Sequence, residues 1–459
     1  MRLLRFKATA ACALLFGTAC ASFGPVPQTG ARRPIETELA LLTFDSAWSR
    51  VAHSHYDTAF GGVDWAGVRA ELRPRAEQAA TLGDLRRVLD EMLSRLGESH
   101  YGLIPRELTD VLQDSPTGAA SISGAAGLAV RLAGDDLVVW RVEDDGAAAA
   151  AGIRTGWTLL SVDGRPTAPR LERLQALPEA EQRTARTRML YQANADLSGQ
   201  VGQRLRLRLR DGSGREVNQN LVLRPARGQI VQHGHLPPAI AILEHEILPT
   251  DAGCVGVIRM NVWFGPLAAP FDRAVDAMRH CDGVVIDLRG NPGGVAGMVM
   301  GTAGHFLTDT LTLGIMRMRG TELRFKANPR RVRHDGELVE PFSGSLAILT
   351  DEMSASTSEF FAAGLQAVGR ARVFGTPTAG QALPALLLRL PTGDVMMHVV
   401  ADFTGPGGVR IEGKGVLPDV AAVSSRQDLL EQSDVPLRAA LEWIAGDSCC
   451  RHLPNRSEK

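Results

Sequence analysis

Residues 345–361 read SLAILTDEMSASTSEFF. The apolar run from Ser345 to Thr350 predicts a strand buried on both faces. Small residues then form a tight turn, and a helix follows to Val368. A serine in that turn sits at a helix N-terminus, where free N–H groups and the dipole favour a developing negative charge. This is the logic of a nucleophile elbow. The same serines also read as caps, with Glu359 completing a capping box.

Outward from this stretch the pattern repeats. CVGVIRM (254–260), GVVIDL (283–288) and ARVFG (371–375) are further apolar strands, with helices expected over 271–279 and 295–307. Such alternation implies an α/β layer on a largely parallel sheet. The strand GVVIDL runs into Arg289-Gly-Asn-Pro-Gly-Gly294, where glycines let backbone N–H groups approach a ligand. A plain turn and a phosphate cradle are the other readings, the latter without a P-loop lysine.

Toward the N-terminus, residues 35–96 read as helices. Asp64 precedes one, and Thr81 with Asp84 resembles a capping box. Residues 112–126 lack apolar periodicity and mark a boundary. Strand-like stretches at 127–142 and 157–162 follow, then a helical stretch at 169–197. Leu205 to Arg210 alternates Leu and Arg, the period of a half-buried strand, and its arginines read as a solvated face.

With 459 residues the chain has room for roughly three domains. Its 50 Lys+Arg against 51 Asp+Glu argue against a chain-wide grip on nucleic acid. Only four of the basic residues are lysines: Lys7, Lys326, Lys414 and Lys459. Six cysteines exclude a disulfide-dense mini-scaffold. Arg2, Arg5 and Lys7 ahead of the apolar stretch Ala8 to Ala19 have the form of a secretory signal. Thr18-Ala19-Cys20 resembles a lipoprotein processing site with Cys20 lipidated, although Gly17 stands where leucine is usual. Cleavage near Ala21 is the alternative. Either route exports the folded part, to the periplasm or cell envelope.

Three motifs together, DLRGNPGG (287–294), TDEMSASTSEFF (350–361) and GVLPDV (415–420), resemble the tail-specific, or C-terminal processing, serine peptidases. The resemblance covers roughly residues 35–425. It implies a multidomain α/β protein: signal 1–20, linker 21–34, helical region 35–111, PDZ domain 115–227, ClpP/crotonase-like catalytic core 228–445 and polar tail 446–459. It implies Ser356, three residues before Glu359, as the nucleophile. The implied oxyanion donors are the N–H of Thr357 and the Gly293-Gly294 turn. Gly127-Leu128-Ala129-Val130 resembles a PDZ carboxylate-binding loop, which takes a peptide by strand addition. A structural spacer is the alternative there.

The family divides by its general base. One branch places a Lys 25 residues after the serine and a Gln four further on; here those positions are Gln381 and Ala385. The other branch, similar to the tricorn core, uses Ser-His and a distant Glu. Ser99-His100 and Glu412-Gly-Lys-Gly-Val-Leu-Pro-Asp match it, with Lys414 as the one lysine not dismissed, because an extended strand would put it on the face of Glu412. Free imidazole titrates near pH ~6.5, so His100 is expected to serve without a large shift. The implied partners are protein or peptide substrates, with no cofactor, no metal, no nucleic acid, and a membrane only through Cys20. Retinoid-binding relatives make a non-catalytic binding protein the competing function.

Other features complete the reading. Cys254 and Cys281 each precede an apolar strand of one sheet, so a disulfide between them is expected in an oxidising compartment. The basic stretch Arg324 to Arg333 reads as a solvated loop. His233 and His235 have metal-compatible spacing but no third ligand of matching type.

Overall fold

The computed structural model describes residues 32–107, 123–232, 234, 238–250 and 253–451. The signal reading with Cys20, the linker reading up to residue 31, the His233/His235 pair and most of the 112–126 boundary lie outside these residues.

Three helices come first: α1 (Thr37–Ser54), α2 (Trp65–Glu77) and α3 (Leu82–Ser94). Asp64 accepts the Gly67 N–H at the start of α2. Thr81 and Asp84 form a reciprocal capping box on α3. Phe44, Leu72, Leu85, Leu89 and Met92 pack between the helices, together with Leu390 and Met396 from the far end of the chain. The strand β1 (Gly102–Ile104) then pairs antiparallel with residues 395–397. The turn at 97–100 is thereby tethered to the core on one side and to α3 on the other.

A six-stranded antiparallel sheet follows: five strands run in the order β2 (Leu128–Ala133), β3 (Asp136–Val142), β4 (Thr158–Val162), β5 (Arg204–Arg210) and β6 (Glu216–Val222), and the two-residue strand Arg165–Pro166 pairs with β4 off this path. Leu205, Leu207 and Leu209 are buried while Arg204, Arg206 and Arg208 are exposed, as the alternation requires. The expected long helix over 169–197 is two helices, Ala168–Gln175 and α4 (Glu179–Ala195), with Pro178 at the N-cap of the second. Proline has no N–H to continue the first helix. α4 docks on the core: Arg183 Nη1 donates to Thr378 O at 3.1 Å, Thr187 Oγ1 to Glu352 O at 2.8 Å, and Tyr191 OH to Met353 O at 2.7 Å.

The core is built on six strands in the order β7 (Leu243–Thr250), β8 (Gly253–Met260), β9 (Gly283–Asp287), β10 (Ser345–Thr350), β11 (Arg372–Gly375) and β12 (Val420–Ala421). Only the β7–β8 pair is antiparallel. Every residue of β9 and β10 is buried, because helices cover both faces. At the carboxyl end of β9, buried Asp287 pairs with Arg289 and Arg259. Arg289 also pairs with Asp434. The stretch 324–333 departs from expectation. Arg324 and Lys326 lie on the strand Thr321–Ala327, paired with Leu311–Met318, and only its later part is a loop.

Cys254 and Cys281 are joined by a disulfide, their Cα atoms 4.8 Å apart. Both stand at the amino ends of adjacent parallel strands, where the register brings Val255 opposite Gly283. The bond spans 27 residues of sequence, and closing a loop of that size in the unfolded chain is worth about 3 kcal/mol. Replacing both cysteines by serine should lower the urea-unfolding free energy by about that amount. An unchanged midpoint would show that the bond contributes no net stability.

Candidate active site

β10 ends in the turn Asp351 to Ala355 and the helix α5 (Thr357–Ala367) begins, with Ser356 at its N-cap. Ser356 is fully buried and has φ 53° and ψ −115°. A non-glycine residue in this region costs about 1–3 kcal/mol and persists only where its surroundings over-determine it. They do so here. The Ser356 N–H donates to Gln381 O and to Glu359 Oε2, both at 2.9 Å, and its carbonyl accepts from Glu359 and Phe360. Among the described residues, Ser356 Oγ has no hydrogen-bond partner.

The neighbouring serines face the loop after β9. Ser354 Oγ donates to Leu288 O at 2.8 Å, and Ser358 Oγ donates to Asn291 O while accepting from Trp263 Nε1. These bonds lock the DLRGNPGG loop against the serine turn. The close approach needs glycine: a Cβ on Gly293 would lie 2.8 Å from Ser356 Cβ, and one on Gly294 2.3 Å from Trp263 O. One expected donor is already engaged, because Gly293 N–H bonds Asn291 Oδ1 at 2.9 Å. Gly293 therefore supplies space, and the expected anion donors reduce to Thr357 and Gly294.

Glu359 is the hub of this region. Its buried carboxylate accepts from Ser356 N, Thr378 Oγ1 (2.5 Å), Gly380 N (2.8 Å) and Gln381 N (3.0 Å). Burial pushes its carboxyl up to about 7, against the pull of these donors. The sequence showed Glu359 only as a helix cap. Nothing local signals that residues 378–381 converge on it.

Residues 99, 100 and 412 meet next to this hub. His100 is buried, with φ 61°. Its Nδ1 lies 2.7 Å from Ser99 Oγ. Ser99 Oγ donates to Glu412 Oε2 at 3.0 Å, and Ser99 N–H donates to Glu412 Oε1 at 3.1 Å. The hydroxyl has one proton, spent on Glu412, so it accepts Nδ1–H from the ring. That tautomer leaves the Nε2 lone pair free, and Nε2 has no partner among the described residues. The Ala382 N–H also donates to Glu412 Oε2, at 2.7 Å. Gln381 touches Ser356 and the next residue touches Glu412, so one dipeptide links the two halves. Ser356 Oγ and His100 Nε2 are not hydrogen-bonded to each other; such contacts often tighten only with substrate bound.

Two expectations are corrected. Burial lowers the His100 imidazole to about 4, so it does carry a large shift. Lys414 does not share a strand face with Glu412. Residues 411–415 form a turn, with Lys414 N and Gly415 N both bonded to Ile411 O, and Lys414 is exposed. Burial also raises the Glu412 carboxyl, against its three donors.

Gly127 to Val130 open the edge strand β2. Gly127 has φ 72°, and a Cβ there would meet Gly146 Cα at 2.6 Å. Leu128 and Ala129 are half-buried. Val130 is not free to pair: Asn194 of α4 donates to its carbonyl and accepts its N–H, both at 2.9 Å.

Residues 254–422 match peptidase family S41, and residues 43–94 match the tricorn protease C1 domain. The carboxyl-terminal-processing peptidase 3, chloroplastic, of Arabidopsis thaliana is 26% identical over 431 residues, 91% of this chain and 76% of that protein. The carboxyl-terminal-processing protease of Synechocystis sp. is 25% identical over 415 residues, 88% of this chain and 87% of that protein. The chain is a serine-type peptidase. Among solved structures, the photosystem II D1 C-terminal processing protease shares the fold of the peptidase with a TM-score of 0.57 and 21% identity. It is matched over 84% of this chain and 94% of its own. Mature CPAF with lactacystin also gives 0.57, at 16% identity, over 90% of this chain and 98% of its own.

The depressed His100 value links the site of the peptidase to stability. Unfolded imidazole binds a proton below pH ~6.5, whereas His100 in the folded chain does so only near 4. Its contribution therefore falls as pH drops from ~6.5 toward 4. His100→Gln should flatten the pH dependence of the urea-unfolding free energy across that window. A variant curve parallel to the wild type would contradict the shift.

Proposed function

We propose that the chain is an exported serine endopeptidase that cleaves unfolded or C-terminally recognised proteins through an acyl-enzyme. The observation that carries this is the relay Glu412–Ser99–His100, ending in an Nε2 without a partner among the described residues and joined through Gln381-Ala382 to a strained serine whose Oγ likewise has none among them. Ser356 Oγ attacks the scissile carbonyl carbon as its proton passes to His100 Nε2. The carbonyl electron pair moves to oxygen, held by the Thr357 and Gly294 N–H groups, each worth about 3 kcal/mol of barrier. Collapse breaks the C–N bond, and His100 gives its proton to the leaving amine. Water then repeats the sequence on the ester. The imidazolium is stabilised through Ser99 by Glu412, the part played by Asp in a Ser-His-Asp triad.

Export rests on the basic and apolar N-terminus, and lipid anchoring on Cys20 ahead of a polar tether. The β2–β6 unit is read as a PDZ domain whose edge strand takes substrate tails. Asn194 already fills the Val130 rung, so a peptide must displace it there.

The test is degradation of an unfolded model substrate. Ser356→Ala and His100→Ala should each lose activity by about 10⁴-fold or more, since members of one unit are not additive. Lys414→Met should retain activity. The acid limb of kcat/KM should lie nearer pH 4 than 6.5, because only the neutral ring can act as base. An active His100→Ala with an inactive Lys414→Met would overturn the base assignment. In a second assay, Asn194→Ala should lower KM for a peptide with a free C-terminus, and amidating that tail should abolish the gain. Equal KM values throughout would make the β-rich unit a spacer.

A further inference from the structure

The turn that carries Ser99 and His100 is held from two sides, and the relay accounts for only one. Gly97 and His100 both have positive φ, 65° and 61°, and they bracket Glu98 and Ser99. Glu412 fixes Ser99. On the opposite side, Glu98 receives two donors from the segment just after α1. His55 Nε2 lies 3.0 Å from Glu98 Oε2, and Tyr56 OH donates to Glu98 Oε1 at 2.6 Å. His55 has no solvent exposure, and its ring lies 4.8 Å from that of Tyr56 and 5.3 Å from that of Phe60. Asp57 lies on the other ring nitrogen, and Arg319 Nε donates to the His55 carbonyl. Tyr56 is held in turn by Arg410 Nη2, at 3.0 Å from its hydroxyl. Arg410 is two residues from Glu412.

We propose that Glu98, clamped by His55 and Tyr56, is a positioning residue that fixes the Ser99-His100 turn from the helical region. This rests on the reading of His100 as the general base. A left-handed backbone at His100 relaxes unless both flanks are held, and relaxation swings Nε2 away from Ser356. The two donors need an ionised or acceptor-only partner. Glutamine at 98 turns an amide N–H₂ toward one of them and breaks the clamp while preserving volume. Tyr56→Phe removes one donor to Glu98 and the acceptor of Arg410 Nη2, and leaves the ring in place.

The experiment measures Glu98→Gln and Tyr56→Phe against wild type in three ways: kcat and KM on the unfolded substrate, melting temperature, and amide hydrogen exchange over residues 97–101. The expected result is a fall in kcat of about 10- to 100-fold for Glu98→Gln, smaller for Tyr56→Phe, as for mispositioned catalytic groups. KM and melting temperature should stay near wild type, and exchange at 97–101 should accelerate. Wild-type kcat with unchanged exchange would overturn the proposal. So would a loss of kcat that merely tracks a loss of melting temperature. His100→Ala runs alongside. If it is active, the base assignment fails, and exchange alone still decides whether Glu98 fixes the turn.

Discussion

One buried carboxylate sets the geometry on which the rest depends. Glu359 is fully buried and has no cationic partner among the described residues, yet it gathers four donors from Ser356 and from Thr378, Gly380 and Gln381. An isolated buried carboxylate is expensive, and its cost is offset only when every lone pair finds a donor. Satisfying Glu359 therefore forces residues 378–381 against the serine turn. The same segment then presents Ala382 N–H to Glu412, and Thr378 Oγ1 accepts the N–H of Val416. The strain at Ser356 is sustained by this arrangement, because its own N–H is part of it.

The site is thus assembled from distant pieces on a rigid frame. Parallel strands β9 and β10 end side by side, so the glycine loop and the serine turn are neighbours by topology. The helical region brings Ser99 and His100, anchored by β1 on residues 395–397. The β-rich unit reaches the same place through α4, whose Thr187 and Tyr191 hold the carbonyls of Glu352 and Met353, four and three residues before Ser356. All three regions converge within a few residues of the serine.

Much of this was legible in the sequence. SLAILT and GVVIDL read as buried strands because apolar runs between turn signals have few other uses. Ser356, the Ser99-His100 pair and Glu412 were legible as spaced motifs, and the Leu/Arg alternation of β5 gave its two faces directly. What was missed depends on contacts between segments remote in sequence. The His100 shift follows from packing that buries a residue on a short polar turn. The occupation of Val130 by Asn194 joins residues 64 apart. Gly293 was read as an anion donor, but its N–H is spent on Asn291. The Lys414 expectation assumed an extended strand, whereas Gly413 and Gly415 both have positive φ and close a turn.

The central claim is that Ser356 is activated by His100 through its free Nε2. The most direct measurement is mass-spectrometric mapping of a fluorophosphonate probe that phosphonylates nucleophilic serines, on wild type and His100→Ala at neutral pH. Labelling is expected at Ser356 alone in the wild type and is expected to vanish in His100→Ala. Labelling of Ser354 or Ser358 instead, or undiminished labelling of Ser356 in His100→Ala, would contradict it.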